Sequence, residues 1–140
     1  MIPLKKAQTI LKAALAKGRD MELKPLTVVV LDAGGHVIAA AREDGASPGR
    51  FKIAEAKAFG AVMLGMPGTA QMERAEAQAY FMAAMNGLYD GKVVPVPGGV
   101  LVKNHKGEVI GAVGVTGDSS DNDAAAALAG IEAAKLEGVA

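Results

Sequence analysis

Three aspartates, Asp118, Asp121 and Asp123, fall within the run GDSSDNDAAAALAG at 117–130. Carboxylates so spaced can ligate a metal, move a proton, or start a helix. A calcium loop of the EF-hand kind alternates oxygen ligands, turns on a glycine and closes on a bidentate glutamate. DSSDNDAAAALA has neither that glycine nor that glutamate, so no metal is expected here. Helix capping needs only one of the three, because one carboxylate satisfies the orphan N–H groups and the positive end of the helix dipole. A carboxylate held by a helix end stays ionised, which suits a hydrogen-bond acceptor or general base better than an acid.

Three further features carry potential chemistry. Lys57 sits among alanines in EAKAFGA. Either its stem snorkels to water, or it faces a pocket and neutralises an anionic ligand. Asp44, in the EDGA loop before it, is a partner for Lys57 or for Arg50. Gly98 and Gly99 follow Pro97 and leave the main chain bare, so that its N–H groups can approach a carboxylate or oxyanion; the alternative is a bulge before a strand. His36 and His105 sit in the glycine turns GGH and NHKG and read as solvated turn residues. No Ser-His-Asp arrangement, phosphate-binding loop or dinucleotide fingerprint occurs.

The elements that must position these groups follow from periodicity. Leu4, Ala7, Leu11, Ala14 and Leu15 recur on one helical face, predicting a helix over about 3–21. LTVVVLD is apolar on both alternating faces, as in a strand covered on both sides, and HVIAAAR returns from it through the Asp32–Gly35 turn. FKIAEAKAFGAVML and AQMERAEAQAYFMAAMNGL predict two helices separated by GMPG, the second capped by Thr69. GKVVPVPGG, with two prolines, fits an edge strand or a turn. VLVK and EVIGAVGVT flank the turn 104–107 as a second hairpin, a last helix runs from about 121 to 137, and EGVA frays. The predicted order is α-β-β-α-α-β-β-β-α in one domain, residues 1–140. Parallel βαβ units are missing, so the class is α+β with an antiparallel sheet.

Composition excludes several functions. Fifteen Lys and Arg balance fifteen Asp and Glu, which leaves no net field to recruit nucleic acid or an anionic membrane. Cysteine is absent, and with it disulfides, thiolate nucleophiles and cysteine-ligated metals. Lysines at 5, 6, 12 and 17 interrupt any secretory apolar run, and no stretch reaches the roughly 20 apolar residues of a membrane span, so a cytoplasmic protein is expected. Many small residues and only five aromatics imply close packing, which subunit association commonly supplements.

VVVLDAGGHVIAAAREDGA at 28–46, AEAKAFGAV at 54–62, PGGVLV at 97–102, and GEVIGAVGVTG followed by Asp123, Ala127, Ala129 and Gly130 together resemble the GlcG/HbpS-like family, the haem-degrading domain. The same domain ends the PduO-type cobalamin adenosyltransferases. The resemblance implies a profilin-like five-stranded antiparallel sheet flanked by helices, assembled into dimers and larger rings or octamers. Asp123 is the aspartate that matches the family motif, so it is assigned to a pocket rim, with Asp118 and Asp121 as cap or solvated. The family also implies haem as a cofactor. In the adenosyltransferase domain haem is held by first-helix histidines, whereas this first helix has none, leaving Tyr80, Tyr89, a methionine or an intersubunit His36 as iron ligands. Five of the seven methionines, Met63, Met66, Met72, Met82 and Met85, lie in the two central helices with Phe59, Tyr80 and Phe81; they form either core or a pliable wall for a macrocycle.

The leading expectation is an oligomer that binds an anionic small molecule or a tetrapyrrole in a pocket near the subunit interface, lined by Asp44, Lys57, Gly98, Gly99 and Asp123. The alternative is a hydrolase, isomerase or lyase acting on a small organic acid, with Asp123 as base, Lys57 polarising the substrate carboxylate and the glycine N–H groups holding an oxyanion or enolate. A third reading is an assembly or signalling module without catalysis.

Overall fold

A computed structural model describes all residues, 1–140. The elements are α1 (Leu4–Asp20), β1 (Thr27–Asp32), β2 (Val37–Arg42), α2 (Arg50–Leu64), α3 (Gly68–Ala77), α4 (Ala79–Leu88), β3 (Gly99–Lys103), β4 (Val109–Thr116), α5 (Ser120–Ala133) and β5 (Glu137–Val139). The strands form one sheet in the order β2-β1-β4-β3-β5, every pair antiparallel. The α+β class and the five-stranded antiparallel sheet are those expected.

Side chains alternate across the strands, and each face has its own core. Val28 and Val30 of β1, Val100 and Val102 of β3, and Val113 and Val115 of β4 point to one side. There they meet Ala7, Ile10 and Ala14 of α1 and Ala126, Ala127 and Ile131 of α5. Val29, Leu31, Leu101 and Ala112 point to the other side, against Ala54, Ala58 and Ala61 of α2. This second core is thin because α2 lies almost directly on the sheet. Gly99 and Gly114, partners across β3 and β4, make that possible. A Cβ at Gly114 would overlap the Ala54 carbonyl oxygen, and one at Gly99 the Lys57 carbonyl oxygen. Any larger side chain in this register would lift α2 off the sheet.

Several boundaries depart from the sequence reading. The fifth strand comes from the end of the chain: α5 stops at Ala133, Lys135 takes a left-handed φ of 63°, and Glu137–Val139 pairs with Leu101–Lys103 instead of fraying. Backbone hydrogen bonding to an open sheet edge outweighed the weak local signal of EGVA. Residues 91–98 form no strand, in keeping with their two prolines. The second central helix breaks at Gln78 (φ −142°, ψ 68°) into α3 and α4, and it starts at Gly68, so Thr69 lies in the first turn and does not cap it. On α1 the largest fully buried side chain is Ile10, which lies outside the expected stripe, while Leu4 is exposed.

Candidate functional site

Lys57 projects from the sheet-facing side of α2, where it is 3% exposed. A buried ammonium requires partners, and it finds two: Nζ donates to the Val115 carbonyl oxygen at 3.1 Å and to Asp123 Oδ2 at 3.1 Å. Asp123, 1% exposed, belongs to α5 on the opposite face of the sheet. The side chain bridges the layers by passing over Gly98. A Cβ there would stand 2.9 Å from Nζ and 3.1 Å from Cδ of Lys57, and Gly98 holds a φ of 117°. Its missing side chain is the slot for the lysine.

The remaining Asp123 oxygen, Oδ1, accepts the Asp118 backbone N–H at 3.0 Å. Burial pushes the Lys57 ammonium down from its usual range, opposed by the Asp123 charge, and the Arg50 charge pushes it down further. Burial likewise raises the Asp123 carboxyl, opposed by Lys57. Each group therefore depends on the other to stay charged.

The other aspartates have different positions. Asp118 accepts the Lys24 N–H on Oδ1, and the Ser119 N–H and the Asn122 side-chain amide on Oδ2. The Asn122 bond, aided by those from Lys24 and Ser119, holds its carboxyl at about 2. Asp121 is exposed. None of the three caps α5: the cap is Ser119, whose hydroxyl accepts the Asn122 N–H at 3.2 Å. A serine one residue before the helix was the signal for this, overshadowed by the carboxylates around it. No group of three or more His, Asp or Glu side chains gathers to hold a metal.

Lys57, Gly98, Gly99 and Asp123 thus converge, and Asp44 does not join them. Asp44 is exposed, forms no ion pair with Lys57 or Arg50, and lines an open cleft of about 380 Å³ with Arg19, Pro25, Arg42 and Glu43. None of the surface clefts is lined by Lys57, Gly98, Gly99 or Asp123. Of the five methionines expected in the central helices only Met82 is buried, and Met66 lies in the connection between α2 and α3. Tyr80 is 73% exposed, and Tyr89 packs edge-on to Phe59 with ring centroids 5.9 Å apart.

His105 is exposed at its turn. His36 differs, because it borders a cleft of about 330 Å³ together with Met1, Asp32, Ala33, Gly34, Val109 and Ile110. Asp32 Oδ1 accepts the N–H groups of Gly34 and His36, which fixes the turn that presents the imidazole. Those two bonds, with the nearby His36 charge, hold the Asp32 carboxyl below its usual range. The cleft thus places an imidazole and a thioether, side chains of types that can ligate haem iron, beside Ala33, Val109 and Ile110 and the Asp32 carboxylate.

Residues 2–132 match the family described as haem-degrading protein HbpS-like. Nothing among curated proteins matches the chain. Among solved structures, PduOC in its haem complex superimposes with a TM-score of 0.85 at 23% identity, covering 97% of this chain and 96% of that one, which is a likeness of fold. HbpS gives a TM-score of 0.80 at 27% identity, covering 93% of this chain and 87% of its own. A double mutant of HbpS from Streptomyces reticuli gives 0.80 at 29% identity, covering 93% and 84%. No helix is long and apolar enough to cross a membrane.

Proposed function

The chain belongs to the HbpS-like family of haem-degrading proteins, and on that premise we propose that it is an oligomeric binding protein for a tetrapyrrole, haem. The observation that carries this reading is the cleft beside His36, where an imidazole stands among Met1, Ala33, Val109 and Ile110. Asp32 orients the turn through Gly34 and His36, and the His36 imidazole would hold the haem iron, with Met1 lining the same cleft. A haem bound there would supply a redox-active, Lewis-acidic iron. Val37 and Val109, 45% and 40% exposed, extend the apolar surface at this end of the sheet, where a second copy completes the site. α4 supports association of copies: it has no charged residue, and Tyr80 and Leu88 are 73% and 65% exposed.

Binding is favoured over acid–base turnover by Lys57 and Asp123, because both are sealed from solvent and bonded to each other. The space above Gly98 and Gly99, where an oxyanion would sit, is filled by Lys57 and its backbone. The test is titration with hemin. A discrete Soret shift saturating at one haem per subunit is expected; a broad, unsaturated absorbance change would overturn the proposal.

A further inference from the structure

We infer that the cleft between the Lys24–Pro25 segment and the start of α2 is a second ligand site, a seat for a small carboxylate or phosphate. It measures about 220 Å³, and its polar lining is Lys24, Ser47, Arg50 and the main chain at Gly45 and Gly117. Clefts for drug-sized ligands run from about 300 to 1,000 Å³, so this one suits a smaller molecule.

Charge identifies its sign. Lys24 and Arg50 are the only charged groups lining it, and neither belongs to an ion pair; the molecule's two pairs are Arg19–Glu43 and Lys57–Asp123. The larger cleft that shares Pro25 is different, since Arg19 and Arg42 are balanced there by Glu43 and Asp44. Asp118 lies near Lys24: it accepts the Lys24 backbone N–H, and the Lys24 charge helps hold its carboxyl low, but the two side chains form no ion pair and Asp118 does not line the cleft.

Arg50 is held ready for an anion. Its Nη1 donates to the hydroxyl of buried Thr116 at 3.1 Å, its one hydrogen bond, out of five donors in a rigid fork matched to a planar acceptor. Directly across from Thr116, on the same sheet face, the Thr27 hydroxyl is fully buried and has no partner, but it lies behind the cleft and does not line it.

A second observation points the same way. The first turn of α2 contains Arg50 and Lys52 and no acidic residue. Cations beside the positive end of a helix dipole repel it, and a bound anion removes that cost. The seat lies at the Thr27 end of β1, whereas the His36 turn follows the other end, about 17 Å away along the strand. The two sites are therefore independent.

The full chain, without hemin, should be titrated with oxalate and with inorganic phosphate at constant ionic strength, following backbone amide shifts by NMR. Saturable shifts confined to residues 45–50, Lys24 and Gly117 are expected from at least one of the two. Saturation by oxalate alone assigns a carboxylate and by phosphate alone a phosphate. Arg50→Gln and Lys24→Gln should each weaken binding about tenfold, while exposed Lys135→Gln leaves it unchanged. Lys24→Gln keeps the backbone bond to Asp118, so it reads out binding even where Arg50→Gln disturbs α2. Non-saturating shifts from both anions, or wild-type affinity in Lys24→Gln, would overturn the assignment.

Discussion

Lys57 Nζ and Asp123 Oδ2, separated by 66 positions in sequence, meet at 3.1 Å and tie α2 on one face of the sheet to α5 on the other. Removing one member leaves the other charge buried and alone. Lys57→Ala and Asp123→Asn should each cost about 3–5 kcal/mol, measured by urea unfolding. The double replacement Lys57→Met with Asp123→Leu should cost less than either single change. Single variants with wild-type stability would show that the pair is open to solvent.

Gly98 provides the passage for that lysine. Gly98→Ala should destabilise by about 1–3 kcal/mol, from its φ of 117° and from contacts with the Val115 carbonyl oxygen at 2.6 Å and Lys57 Nζ at 2.9 Å. In a Lys57→Ala background the second contact is gone, so the same change should cost less. A double-mutant cycle measures the difference; strict additivity would separate Gly98 from the lysine.

Asp118 makes the acid limb of stability predictable. Its folded value, about 2, lies below its ordinary 3.8, so the folded state binds the proton less readily than the unfolded chain. Its contribution is complete above 3.8 and is lost as pH falls through about 2. Asp123 works in the opposite sense, since burial raises its carboxyl. The stability difference between wild type and Asp118→Asn should therefore shrink steadily from pH 5 to pH 2 in denaturant titrations. A difference independent of pH would contradict the network around Asn122.

The two histidines should behave differently toward hemin. His36→Ala should abolish the discrete Soret shift, whereas His105→Ala should leave it intact, because only His36 borders the apolar cleft. Loss in both variants, or in neither, would move the iron ligand elsewhere. Melting temperatures should change little, as both side chains are exposed.

α4 carries the association prediction. Tyr80→Asp and Leu88→Lys place charges on its exposed, uncharged surface and should lower the mass measured by light scattering after size exclusion. An unchanged mass would place the subunit contact on another face.

Much of the fold was legible in the residues because periodicity and turn chemistry are local. TVVVLD reads as a strand covered on both faces, and both hairpins follow from their glycine turns. The resemblance supplied the sheet's strand number. EGVA was misplaced because three residues have no period of their own, and an open β3 edge decided their conformation. Ser119 was overlooked as the cap among more conspicuous carboxylates.

The site divides along the same line. Sequence by itself marked Lys57, the three aspartates and the Gly98–Gly99 pair as groups worth watching, the resemblance singled out Asp123 among the aspartates, and the lack of cysteine excluded thiol chemistry from these residues. Only the tertiary structure decided that the lysine crosses from one layer to the other and is neutralised inside, that Asp44 stands apart, and that Arg50 belongs to no ion pair. The physical reason is that burial and pairing depend on what lies opposite a side chain in space, and sequence distance does not encode that until helices and strands have packed.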